Sequence, residues 1–130
     1  MKKRFFSVFS LFFICLALVG CGKPSPDSVA VDFYRAVADG NVDKAWSLLY
    51  IKEDADNELE IKGKLQMIIA SSSAKTKEKG GVKNIIIKST ETDSAQKNAI
   101  VVLEITFNND MKSVERVKLK KQDDAWKVSM

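Results

Sequence analysis

"KEKGGVKNIIIKSTET", residues 77–92, is where the chain changes period. Before Gly80-Gly81 the apolar residues stand three and four apart, so that Ile61, Leu65, Ile68, Ile69 and Ser72 trace one stripe of a helix. After the glycines come β-branched runs: "VKNIIIKSTET" (82–92), "KNAIVVLEITF" (97–107), "KSVERVKLKK" (112–121) and "AWKVSM" (125–130). The short polar pieces between them, "DSAQ" (93–96), "NND" (108–110) and "QDD" (122–124), predict hairpin turns. In the second run Ala99, Val101, Leu103, Ile105 and Phe107 share a face, and in the fourth Trp126, Val128 and Met130 alternate with Lys127 and Ser129. The third run is less regular. Val114 is out of phase with Val117 and Leu119, which predicts a bulge or a late strand start.

Working back toward the N-terminus, "DSVAVDFYRAVADG" (27–40) carries Val29, Phe33 and Val37 at i, i+4 and i+8, with Ala30, Tyr34 and Ala36 beside them. Ser25 is the expected N-cap, Pro26 the first helical residue, Asp27 a complement to the helix dipole, and Gly40 the stop. A second short helix restarts at Asn41, with Val42, Ala45, Trp46 and Leu49 on its inner side. The third helix follows and is expected to fray in its Ser- and Lys-rich tail before Gly80. Helices first and an antiparallel meander after them predict an α+β fold, with the helices gathered on one face of a sheet of about four strands.

The helix pair "VAVDFYRAVADGNVDKAWSLL" and the closing hairpin "VERVKLKKQDDAWKV" resemble small bacterial lipoproteins of the nuclear transport factor 2-like, or cystatin-like, superfamily. The resemblance implies a strongly curved sheet with helices packed into its concave face, making a cone. It carries no active-site signature, so it speaks to architecture more than to function. Homodimers through the convex sheet face are common in such proteins, and that is an expectation here too.

The first twenty residues have a different character. "MKKR" is a positive cluster, and Phe5 to Val19 is a run of fifteen residues without a charge. This is the pattern of a signal peptide, and the run falls short of the roughly 20 apolar residues that span a bilayer. Leu18-Val19-Gly20-Cys21 resembles the bacterial lipobox. That resemblance implies a diacylglyceryl group on the Cys21 thiol, cleavage before Cys21, and acyl chains such as palmitate as the membrane anchor. Two or more chains hold stably where one holds only reversibly. The alternative is an ordinary signal peptide with a chance cysteine. Gly22 and Lys23 follow, with no Asp at the second position, so an outer-membrane site facing the periplasm is expected in a Gram-negative cell. The expected organisation is therefore a cleaved signal at 1–20, a lipidated Cys21 with a tether to residue 26, and one domain over 27–130.

Removing the signal also changes the charge argument. Three of the 21 Lys and Arg fall in residues 1–20, leaving 18 against 17 acidic residues, a net of +1. Nucleic-acid binding draws on clustered positive charge, and a nearly neutral exported domain offers neither charge nor access. Cys15 would leave with the signal and Cys21 would become a thioether, so no disulfide is expected and stability must come from packing.

Candidate chemistry is sparse. The chain has no histidine, which removes the usual proton shuttle and most transition-metal sites. Asp32, Tyr34 and Glu104 are the candidates for acid and base work, although each also suits a solvated or core-rim position. Asp54, Asp56 and Glu58 have the alternating spacing of a calcium loop, but Leu59 and Leu65 stand where that loop needs Gly and Glu. An acidic approach to the third helix is the better account. Lys118, Lys120 and Lys121, with Arg116 and Lys112, make the third strand basic on its polar face. Phe33, Tyr34, Trp46, Tyr50, Phe107 and Trp126 are the expected core rings and the candidate lining of any hollow the cone keeps.

Together these features predict a lipid-anchored, non-enzymatic bacterial envelope protein. It would need no cofactor or metal, and would bind a small apolar ligand or an envelope protein through its cone. The alternatives are an isomerase or hydro-lyase in the cone mouth, which requires a carboxylate and a tyrosine to converge there, and a purely structural docking domain with a filled cone.

Overall fold

The computed structural model describes residues 23–130, and the signal-peptide and Cys21 expectations lie outside the described residues. Three helices precede four strands: α1 (Pro26–Ala38), α2 (Val42–Ser47), α3 (Glu58–Glu78), β1 (Val82–Thr92), β2 (Asn98–Phe107), β3 (Lys112–Gln122) and β4 (Ala125–Val128). The strands form one antiparallel sheet in the order β1-β2-β3-β4, the α+β layout predicted above.

Local chemistry sets the helix ends. Ser25 caps α1 by accepting from the Ser28 N–H, with Pro26 opening the helix. Asn41 caps α2 by accepting from the Lys44 N–H at 3.1 Å. Two glycines close α1 and α3 in the same way. Gly40 (φ 74) and Gly80 (φ 85) hold left-handed backbone, and the next residue's N–H reaches back into the helix, Asn41 to the Ala36 carbonyl at 2.8 Å and Gly81 to the Thr76 carbonyl at 2.9 Å. These are Schellman closures, which need a residue without a Cβ penalty.

The closure at Gly80 corrects the expectation that α3 frays. The helix runs unbroken to Glu78, because Thr76 is buried and its hydroxyl donates to the Ser72 carbonyl at 2.9 Å. A second correction concerns its stripe. Leu65 and Ile69 are buried, while Ile68 is 47% exposed, since one residue's step turns a helical side chain by about 100°.

The sheet's register corrects two more expectations. β3 pairs with β2 without interruption from Lys112 to Lys120, so Val114 marks neither a bulge nor a late start. It simply points outward, opposite Glu104. The irregularities fall in β1, between Val82 and Asn84 and between Ile87 and Ser89, where they bend the strand. Lys121 also leaves the basic face assigned to it: it pairs with Trp126 and its ammonium lies 5.2 Å from that ring's centroid.

The core forms where α1, α2 and α3 cover the inward phase of the sheet. Val29, Ala30, Leu65 and Ile69 meet Val101, Leu103, Ile105, Leu119 and Val128. Among the described residues its buried members run from Val29 to Val128. β4 is only four residues long, and its outer edge is covered by the chain leaving α2, where the Tyr50 N–H donates to the Val128 carbonyl and the Val128 N–H to the Leu48 carbonyl. Among the described residues no helix is long and apolar enough to cross a membrane.

Candidate functional site

A cleft of about 330 Å³ opens between the C-terminal halves of α1 and α3 and the first half of β3. Phe33, Val37, Phe107 and Val117 contribute its apolar surface, and Tyr34, Glu115, Lys75 and Lys79 its polar groups. Each arrives by the periodicity of its element. Phe33, Tyr34 and Val37 occupy one side of α1, Lys75 and Lys79 stand four apart on α3, and Glu115 shares the inward phase of β3 with Val117 and Leu119.

Of the three residues named for acid and base work, the structure brings only Tyr34 to this cleft. Asp32 is exposed on α1. Glu104 lies on the outer face of the sheet, with the ammonium groups of Lys88 and Lys112 each 3.7 Å from its carboxylate. The carboxylate that does face Tyr34 is Glu115, which sequence reasoning missed. Burial raises the Tyr34 phenol above its ordinary value of 10.0, and the negative charge of Glu115 adds to the rise. At neutral pH Tyr34 is therefore a hydrogen-bond donor and not a base. Ser113 donates its hydroxyl to Glu115 at 3.2 Å, and the Lys79 ammonium stands 4.5 Å from the centroid of Phe107.

The six aromatic residues divide. Phe33, Tyr34 and Phe107 line the cleft. Tyr50 borders a second hollow of about 800 Å³, walled by the loop before α3, the start of α3, Lys120 and the chain leaving β4. Trp46 is half-buried against the core with Lys62 over its ring at 5.8 Å, and Trp126 is half-buried beneath Lys121. Asp54 and Asp56 are exposed in the loop before α3, and Glu58 stands in its first turn. Among the described residues no group of three or more His, Cys, Asp or Glu is placed to hold a metal ion.

Residues 19–129 match the model of a family described as a domain of unknown function, DUF4878. The chain belongs to that family. Among solved structures it is similar to a Campylobacter jejuni protein that carries the name NTF2-like transpeptidase, at 27% identity and a TM-score of 0.76, covering 82% of this chain and 99% of that one. The α+β fold of this DUF4878 domain is thus nuclear transport factor 2-like. Two further structures align at lower similarity. The intermembrane space region of the chloroplast protein ARC6 has 10% identity and a TM-score of 0.41, with 84% of this chain and 95% of that one covered. Aln2 from a Streptomyces species has 15% identity and a TM-score of 0.38, with 83% and 91% covered. At those scores neither bears on function. No curated protein matches the chain.

Proposed function

We propose that this protein is a lipid-anchored component of a bacterial envelope, and that the mouth of its cone is a non-enzymatic binding site for a small apolar ligand or a segment of a partner protein. One observation carries the binding half: the cleft of about 330 Å³, whose apolar side chains are joined by one neutral phenol and a few charges. That volume is at the small end of ligand sites, which combine apolar walls with a small number of orienting polar groups. The anchoring half is supported by the signal-peptide pattern and by Cys21 in its lipobox context. Native mass spectrometry of the domain, purified from envelope extract of the source organism, tests the binding half. A reproducible added mass is expected, and bare protein from every preparation would sink the small-ligand form of the proposal.

A second reading has a specific observation behind it, the convergence of Tyr34 and Glu115 in the cleft. That pair suits proton transfer at a carbon acid, with Glu115 as base and the protonated Tyr34 as donor to the developing oxyanion. The name carried by the Campylobacter protein suggests acyl transfer instead, which needs an activated nucleophile. Ser113 is one candidate on the cleft wall, and its hydroxyl already donates to Glu115 in a chain without histidine. Loss of a turnover on Glu115→Gln, with ligand binding retained, would favour the enzymatic reading over the binding one.

A further inference from the structure

β3 is eleven residues long and β4 only four, so β4 covers less than half of its neighbour. Pairing runs from Leu119–Val128 to Gln122–Ala125 and ends with the Ser129 N–H donating to the Lys118 carbonyl at 2.8 Å. On the opposite side of the strand the Lys121 N–H donates to the Lys97 carbonyl at 2.9 Å. Backbone groups of successive residues alternate between the two sides of an antiparallel strand, so even-numbered residues of β3 face the β4 side. The N–H and C=O groups of Val114 and Arg116 therefore lie along an edge with no backbone partner among the described residues. Residues 112–116 give that edge a length of about 17 Å, and the cleft lies against it, lined by Ser113, Glu115 and Arg116 together with Ser129 and Met130 of the chain leaving β4.

We infer that this edge takes an added strand: an extended peptide segment of a partner protein, with apolar side chains directed into the cleft and acidic side chains on the outer face. Strand addition combines backbone hydrogen bonds with pockets for alternate side chains, and here both are present side by side. Charge complementarity selects the occupant. On the outer face the edge is flanked by Lys112, Arg116 and Lys118, and the helix wall of the cleft carries Lys75 and Lys79. Among the described residues the ion pairs leave Lys75, Lys79, Arg116 and Lys118 without a carboxylate partner. A strand with acidic residues at every second position places them beside Arg116 and Lys118, and its intervening apolar residues reach toward Phe33, Val37 and Phe107. The bare edge also explains the basic strand, because exposed strand edges are commonly guarded by positive side chains against indiscriminate pairing.

The inference rests on the cone mouth being a binding site, and its test separates the two. The probe is an acetylated and amidated heptapeptide of alternating Glu and Val, titrated into the isotope-labelled protein with amide exchange followed residue by residue. The Val114 and Arg116 amides are expected to slow at least tenfold at saturation. A peptide with Lys in place of Glu, or one N-methylated at alternate residues, is expected to bind at least tenfold more weakly. Val114→Pro removes an edge N–H, a change edge strands tolerate, and should abolish binding; if that variant fails to fold, Arg116→Glu with Lys118→Glu should weaken binding about tenfold. Unchanged exchange at Val114 and Arg116, or equal binding of the N-methylated peptide, overturns strand addition. Failure of the heptapeptide to bind a domain that does carry a small molecule in native mass spectrometry also overturns it, while leaving the binding site in place.

Discussion

At the scale of single residues, Tyr34 and Glu115 define the character of the cleft, and each makes a different demand on the sequence. Tyr34 sits on the apolar stripe of "DSVAVDFYRAVADG", where ring and hydroxyl are both legible, but helix periodicity says nothing about what lies across from it. Glu115 alternates with Val117 and Leu119, so its inward phase was available from strand period alone. Its neighbours in "VERVKLKK" are so basic that the run reads as one polar face. The pair predicts a measurable coupling. Because Glu115 helps hold the Tyr34 phenol above 10.0, Glu115→Gln should lower the Tyr34 titration midpoint, followed by ultraviolet absorbance of the phenolate with Tyr34→Phe as the blank. The sign for stability follows from the same shift. A folded-state value above the unfolded one contributes stability that is complete below pH 10.0 and is lost as pH rises through the folded value. Denaturation midpoints should therefore fall above that pH more steeply in the wild type than in Tyr34→Phe.

At the scale of elements, α3 and β3 show opposite relations between pattern and outcome. The helical stripe of α3 was legible, but its end was not, because a tail of Ser and Lys has weak intrinsic preference and its persistence depends on burial of Thr76 and on the closure at Gly80. The stripe's energetic weight sits in Leu65 and Ile69, which are 0% and 1% exposed. Ile69→Ala should cost about 2–5 kcal/mol, the range for truncating a buried aliphatic side chain, whereas Ile68→Ala should cost well under about 1 kcal/mol as a surface change; urea denaturation of the two variants checks both. In β3 the irregular apolar pattern suggested a defect, yet the strand is continuous. Val114 is tolerated on the outer face because a sheet's solvent-facing side accepts scattered apolar residues without needing them buried.

At the scale of the whole molecule, the first described residues and the cleft lie toward opposite ends of β3. Lys23, close to the proposed anchor, is paired with Asp124 at the β3–β4 turn, while the cleft lies toward the opposite end of β3. Cys21→Ser should abolish incorporation of labelled palmitate and move the protein from the detergent phase to the aqueous phase on detergent phase partition; continued labelling would remove the anchor from the proposal. The order of elements, the turns and most of the helix caps were determined by the sequence itself, because periodicity, glycine and the capping side chains act over a few residues and leave their mark locally. Which carboxylate meets Tyr34, that Glu104 faces the other way, and that β4 stops short of half of β3 were decided only by tertiary structure. Those facts depend on the register between strands and on the layer of helices laid over them, and neither is a property of any one segment.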